Sequence, residues 1–168
     1  MTIGSDMDIN SMQGAFAINQ LLDVIYPDAL NCTEVTDFGY AFLDCTNLQT
    51  IPEGLFDNCP EVTTFAGAFN YCTSLQAIPE GLFEKSTEVT DFSNVFLDCA
   101  NLIIVPEGLF HYNTKVTDFG GAFQGTAITE IPAYTFGTEE TNVNFTNTFY
   151  DCKSLTTVKS NAFNCPNH

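Results

Sequence analysis

The chain contains no arginine, and its only cations besides two histidines, His111 and His168, are four lysines, Lys85, Lys115, Lys153 and Lys159. Against 21 acidic residues this leaves a net charge of -17. Nucleic acid is thereby excluded as a partner, because that affinity comes from Lys and Arg displacing phosphate counterions. Anionic membrane surfaces are disfavoured for the same reason. The acidity reads as a device for solubility and resistance to self-association, so a monomer is expected. No apolar run approaches the ~20 residues of a membrane-spanning helix, and direct membrane insertion is not expected. The opening MTIGSDMDIN has neither a cationic start nor an apolar stretch and does not read as a signal peptide. The chain is then cytoplasmic, or a mature or recombinant fragment. A fragment is favoured, since it stops at AFNCPNH soon after a new repeat begins at Val158, with no polar capping unit.

Catalytic signatures are equally scarce. There is no C-x-x-C, P-loop, G-x-G-x-x-G or H-E-x-x-H. His111 occupies a variable position equivalent to Asp57 and Glu84, which suits a solvated side chain, and His168 is terminal. Neither is placed to serve a Ser-His-Asp or Cys-His arrangement. No catalytic residue, cofactor or resident metal is expected, and the chain does not read as an enzyme.

What the sequence has in abundance is repetition. IPEGLF at 51–56 recurs at 78–83, returns as VPEGLF at 105–110 and decays to IPAYTF at 131–136, with starts 27, 27 and 26 residues apart. A period in the twenties marks a stack of coils, each leaving an apolar face uncovered until a neighbour covers it. At 168 residues the whole chain is taken as one domain, with 1–34 a degenerate first repeat and 158–168 a truncated last one. Apolar columns run through it: Val35, Val62, Val89, Val116, Val143; Phe38, Phe65, Phe92, Phe119, Phe145; Phe42, Phe69, Phe96, Phe123, Phe149; and Leu48, Leu75, Leu102, Ile128, Leu155. The same pattern extends weakly back through Ile9, Met12, Phe16 and Leu22.

Val35, Phe38, Phe42 and Cys45 lie three, four and three residues apart, the spacing of one face of a short helix. Thr36 or Asp37 would supply its N-cap. LQTIP, LQAIP, LIIVP, ITEIP and LTTVK read as short strands, four of them ended by Pro, and their recurrence predicts a parallel sheet with right-handed crossovers. PEGLF reads as a turn in which Gly54, Gly81 and Gly108 can adopt a left-handed backbone. The expected fold is therefore α/β: a right-handed solenoid of about six coils of 26–27 residues, strands on one face and short helices on the other. L-x-x-I-P-E-G-L-F-x-x-C and V-x-x-F-x-x-A-F-x-x-C are also alike, so a tighter winding with two coils per unit stays open.

VTDFSNVFLDCANL followed by a short strand resembles the BspA-like class of leucine-rich repeats, over roughly 9–165 and five recurrences. The Pro after the strand and the 27-residue length depart from the commonest form of that class. The resemblance implies a surface-displayed, extracellular, non-catalytic scaffold that binds or adheres to a protein or glycan. It carries over no catalytic residue. A structural spacer within a longer surface protein, or an appendage to an enzyme elsewhere on the chain, are the alternatives.

Function then falls to the variable columns. On the expected sheet face stand Gln49, Thr50, Gln76, Ala77, Ile103, Ile104, Thr129, Glu130, Thr156 and Thr157, with Ile103 and Ile104 an apolar spot. Glu53, Glu80 and Glu107 recur at one position as a carboxylate column, either simply solvated or forming a weak calcium site or an acidic rim for a basic partner. Thr50, Glu53, Ala77, Glu80, Ile103, Ile104, Glu107 and Glu130 make up the candidate partner-binding surface. Cys45, Cys72, Cys99 and Cys152 share a column and read as small buried hydrophobes, since helices packed ~8–10 Å apart would hold them beyond bridging distance. A pairing such as Cys32 with Cys59 is less excluded, and the odd total of seven leaves a thiol over. Asn31-Cys-Thr and Asn144-Phe-Thr match the short N-glycosylation pattern.

Overall fold

The computed structural model describes residues 10–26, 30 and 32–163. Ile9, Asn31, Cys165 and His168 lie outside them. Successive repeats are tied backbone to backbone. The N–H groups of Phe38, Tyr40, Phe42 and Asp44 donate to the carbonyls of Thr64, Ala66, Ala68 and Asn70 at 3.0, 2.8, 2.8 and 2.8 Å. The alternate N–H groups close local turns, Ala41 on Phe38, Leu43 on Tyr40 and Cys45 on Phe42. Parallel bridges join Ser11 to Asp37, Asp37 to Thr64, Thr64 to Asp91, Asp91 to Asp118 and Asp118 to Asn144. A second corner is bridged at Val24–Thr50 and Ala77–Ile104. Partners are 26 or 27 residues apart, so each repeat is one coil; its two similar halves each carry a bridged corner, and a further bridge joins Phe110 to Phe136 after the second.

The helix-plus-strand α/β arrangement is overturned. Among the described residues there is no helix, and regular strand is confined to β1 (Glu130–Ile131) and β2 (Thr157–Val158), which pair in parallel with Glu130 opposite Thr157 and Ile131 opposite Val158. Two physical reasons account for this. In a helix each N–H is bonded four residues back within its own segment; here every second N–H is bonded to the next coil instead. Backbone-paired coils stand ~4.8 Å apart, whereas packed helices need ~8–10 Å. With both corners tied by backbone bonds, no room is left for a layer of helices.

Left-handed residues replace the helical turn. Tyr40 (φ 55°), Gly67, Asn94, Gly121 and Asn147 share one position, and Asp44 (φ 57°), Tyr71, Asp98, Gly125 and Asp151 another, all with positive φ. In the turns Phe38–Ala41 and Phe42–Cys45 they occupy the third place, the mark of a type II turn. The expected N-cap does different work: Asp37, Asp91 and Asp118 each accept, through Oδ1, the N–H two residues on at 2.7 Å. These Asx turns lead into the left-handed segment and not into a helix. Thr63, Thr90 and Thr117 donate their hydroxyls to the carbonyl of the equivalent Thr one coil back.

Stacking of phenylalanines fills the interior. Phe16, Phe42, Phe69, Phe96, Phe123 and Phe149 form one column with successive ring centroids 5.1, 5.1, 5.7, 5.8 and 6.1 Å apart. Phe38, Phe65, Phe92, Phe119 and Phe145 form a second, and Phe56, Phe83, Phe110, Phe136 and Phe163 a third. The third column sits edge-on or tilted against the others, as in Phe83 against Phe92 at 4.7 Å. Phe38, Phe65, Phe83, Phe92, Phe110 and Phe119 are all at 0% exposure.

One left-handed position is occupied against its chemistry. Ile18 has φ 59° although it is β-branched, and its side chain is 65% exposed, so packing offsets little of the strain. Asn visits this region readily. Ile18→Asn is expected to raise stability by about 1 kcal/mol, within the ~1–2 kcal/mol cost of the left-handed conformation. A thermal unfolding midpoint unchanged or lowered by the substitution would contradict the strain assigned here.

Candidate partner-binding surface

Thr50, Ala77, Ile104 and Glu130 all stand at the second bridged corner: Thr50 opposite Val24, Ala77 opposite Ile104, and Glu130 opposite Thr157 in β1–β2. Ile103 and Ile104 are 50% and 60% exposed, an adjacent apolar pair on an edge that also exposes Val24 and Val158. Both of their N–H groups point to the carbonyl of Gln76 in the coil before, which fixes the backbone while leaving the side chains outside. Glu130 is paired with Lys159 at 3.4 Å.

Glu80 and Glu107 follow Ala77 and Ile104 by three residues and come together in an open cleft of about 430 Å³. Its other walls are Glu84, Leu109, His111, Tyr112, Tyr134 and the backbone of Gly81 and Gly108. Glu53, at the same repeat position, does not line it. The cleft joins carboxylates to aromatic surface: His111 meets Tyr112 edge-on at 4.7 Å and Tyr134 at 6.4 Å, and Tyr112 is 48% exposed. Glu84 is bonded to Lys85 at 2.8 Å. Such a surface suits an ammonium or guanidinium group, which gains both from carboxylates and from ring faces.

Sequence reasoning found the carboxylates and missed the rings. His111 was expected in solvent, yet it is half-buried between two tyrosines. Tyr134 stands where earlier coils have Gly54, Gly81 and Gly108, and it keeps their left-handed backbone at φ 53° against their 68°, 67° and 68°. A tyrosine in a glycine position was the available signal. Bulky residues hold such a conformation only where the surroundings over-determine it, and strained positions concentrate at functional sites.

The thiols are chemically quiet. Cys45, Cys72, Cys99 and Cys152 are free, and each S–H donates to a phenylalanine carbonyl of the preceding coil, of Phe16, Phe42, Phe69 and Phe123. Burial pushes all four thiols up, furthest at Cys72 and Cys99. They stay unbridged although no helical layer separates the coils. Cys32 and Cys59, one coil apart at the other corner, do form a disulfide, with Cα atoms 4.9 Å apart. Among the described residues no group of three or more His, Cys, Asp or Glu side chains could hold a metal ion. Asn144 has its amide on Asp118 at 3.0 and 3.1 Å and its carbonyl oxygen on the Thr146 N–H. No helix among the described residues is long and apolar enough to cross a membrane.

The chain matches no protein-family profile and no curated protein. Among solved structures it is similar to a leucine-rich cell surface protein from Faecalibacterium prausnitzii, at 27% identity over 77% of this chain and 34% of that one, with a TM-score of 0.44. It is similar also to a leucine-rich repeat protein of T. pallidum, at 16% identity over 88% of this chain and 60% of that one, with a TM-score of 0.37. A leucine-rich repeat protein of Bacteroides ovatus matches at 16% identity and a TM-score of 0.25, over 87% of this chain and 57% of that one. The chain thus spans about a third of the Faecalibacterium protein and less than two thirds of the other two. At TM-scores below one half these likenesses carry no part of the functional reading, which rests on the chain's own surface.

Proposed function

We propose that the chain is a non-catalytic binding module, displayed outside the cell, that recognises a protein partner through the cleft at Glu80 and Glu107. The observation that carries this reading is the meeting of Glu80, Glu84 and Glu107 with Tyr112 and Tyr134 in one open cleft, three residues along the chain from the exposed pair Ile103 and Ile104. Aromatic anchors beside an apolar spot, ringed by charge, are the composition of a contact surface. The excess of carboxylates favours a partner that presents Lys or Arg and steers it at long range. The disulfide accords with an extracellular setting. The resemblance to BspA-like repeats points the same way. Thr50, Ala77 and Glu130 would form the rim along the bridged corner, and Glu53 would extend the acidic edge beyond the cleft.

Titration with a lysine- and arginine-rich peptide, read by fluorescence anisotropy, tests the reading. Tyr112→Ala and Glu107→Lys are each expected to weaken binding at least tenfold, while Glu53→Lys, outside the cleft, changes it less. Binding that ignored all three substitutions would be generic charge attraction and would remove the cleft from the reading. Selective capture on a glycan array with no peptide binding would replace the protein partner by a carbohydrate. Silence in both assays would favour a spacer.

A further inference from the structure

At the cleft the repeat changes two residues in one step. IPEG at 51–54 and 78–81 and VPEG at 105–108 give way to IPAY at 131–134. The carboxylate column of Glu53, Glu80 and Glu107 therefore stops at Ala133, and the glycine column of Gly54, Gly81 and Gly108 stops at Tyr134. The bridges Ala77–Ile104 and Phe110–Phe136 fix the register, which places Glu80 level with Glu107 one coil on, and Gly108 level with Tyr134. The backbones that carry Glu80 and Glu107 are thus about 4.8 Å apart. Gly81 and Gly108 leave the floor between them without side chains, and Tyr112 and Tyr134 supply rings where a third carboxylate would have come.

The chain's own lysines are committed elsewhere. Lys85 is paired with Glu84 at 2.8 Å, Lys115 with Glu88 at 2.6 Å, Lys153 with Asp151 at 3.1 Å and Lys159 with Glu130 at 3.4 Å. With no arginine in the sequence, the exposed carboxylates of Glu80 and Glu107 have no Lys or Arg partner among the described residues. Glu84, on the same wall, has its charge met by Lys85. Two carboxylates on neighbouring coils are left open beside two rings.

We propose that the group this cleft selects is an arginine side chain of the partner, in preference to lysine. The inference rests on the cleft being the binding surface and names the chemistry it reads. A guanidinium is planar and holds five N–H donors in a fixed fork, so its edges bond to Glu80 and Glu107 while its face lies against a tyrosine ring. An ammonium meets the same carboxylates as a compact, strongly hydrated point charge and has no face to stack. Carboxylate pairs alone attract either cation. The rings beside them supply the discrimination, and Tyr134, the residue that replaces the repeated glycine, is the specificity-determining position. Methylation of the arginine keeps its charge but takes away N–H donors, so it should lose the advantage.

The test compares three labelled peptides of one sequence by fluorescence anisotropy at fixed salt, their cationic positions filled by arginine, by lysine or by dimethylarginine. The arginine peptide is expected to bind roughly tenfold more tightly than the other two. Tyr134→Gly restores the residue used at Gly81 and Gly108 and relieves the left-handed backbone at φ 53°, so it is expected to fold at least as well as the parent chain. In that variant arginine and lysine peptides should bind alike, the lysine peptide as it does to the parent. An arginine preference that survives Tyr134→Gly overturns the assignment of specificity to the ring. Equal affinity of the parent chain for arginine and lysine peptides, with both lost in Glu107→Lys, overturns arginine selection and leaves the cleft as the binding surface. Binding of neither peptide, or binding of both that ignores Glu107→Lys, overturns this inference together with the reading it rests on.

Discussion

Truncating Phe92 to alanine is expected to cost ~3–5 kcal/mol, the range for large aromatic side chains removed from packed cores. Its ring stacks on Phe65 and Phe119 at 5.8 and 5.9 Å and meets Phe83 and Phe110 at 4.7 and 4.5 Å, with no exposed surface. The cost should fall toward the upper end because the site cannot collapse. Both neighbouring coils are held at fixed height by the backbone bonds of Phe92 to Asp118 and of Phe65 to Asp91. Phe163→Ala supplies the contrast. That ring is 48% exposed and stacks on Phe136 on one face only among the described residues, so about 1 kcal/mol is expected. Urea unfolding of the two variants measures the difference. Equal midpoint shifts would show that stacking between coils is not what holds the interior.

Loss of the Cys32–Cys59 bridge is expected to be nearly as large. It closes a loop of 27 residues, worth about 3.5 kcal/mol in lost freedom of the unfolded chain. The bridge also starts a column that continues with hydrogen bonds. Ser86 donates its hydroxyl to the Cys59 carbonyl at 3.2 Å, and Asn113 donates to the carbonyls of Ser86 and Phe83 at 2.8 and 3.1 Å. Later coils at this corner are tied without sulfur, so reduction should loosen the first two coils most. Unfolding with and without reductant checks this, with Cys32→Ser as the genetic counterpart. A midpoint indifferent to reductant would mean that the corner is held by packing alone.

Much of this architecture was legible in the repeats. The period gave one coil per unit, and the apolar columns marked the interior residue by residue, as Val62, Phe65, Phe69 and Leu75, all at 0% exposure, illustrate. The local conformation was not legible from spacing alone. Residues three and four apart line one face of a helix, and they also line the inside of a coil built from successive tight turns. Composition separates the two readings. Gly67, Asn94, Gly121 and Asn147 in one column, and Asp44, Asp98, Gly125 and Asp151 in the next, are poor helix residues but good left-handed ones. Tyr40 and Tyr71 in the same columns masked that signal. The cleft was half legible for a related reason: the carboxylates repeat and so were seen, whereas Tyr112 and Tyr134 each occur once, and their proximity depends on the 26-residue step between the coils that carry them.

The free cysteines of the core give the protein an internal set of chemical clocks. Each stands at its own height, Cys45, Cys72, Cys99 and Cys152, with its sulfur held by the coil before it and its ionisation suppressed by burial. The three buried thiols, Cys45, Cys72 and Cys99, react only when their own level parts from the neighbouring one, whereas half-buried Cys152 is within reach of reagent from the start. The order in which the three become labelled would therefore record from which side the interior comes undone.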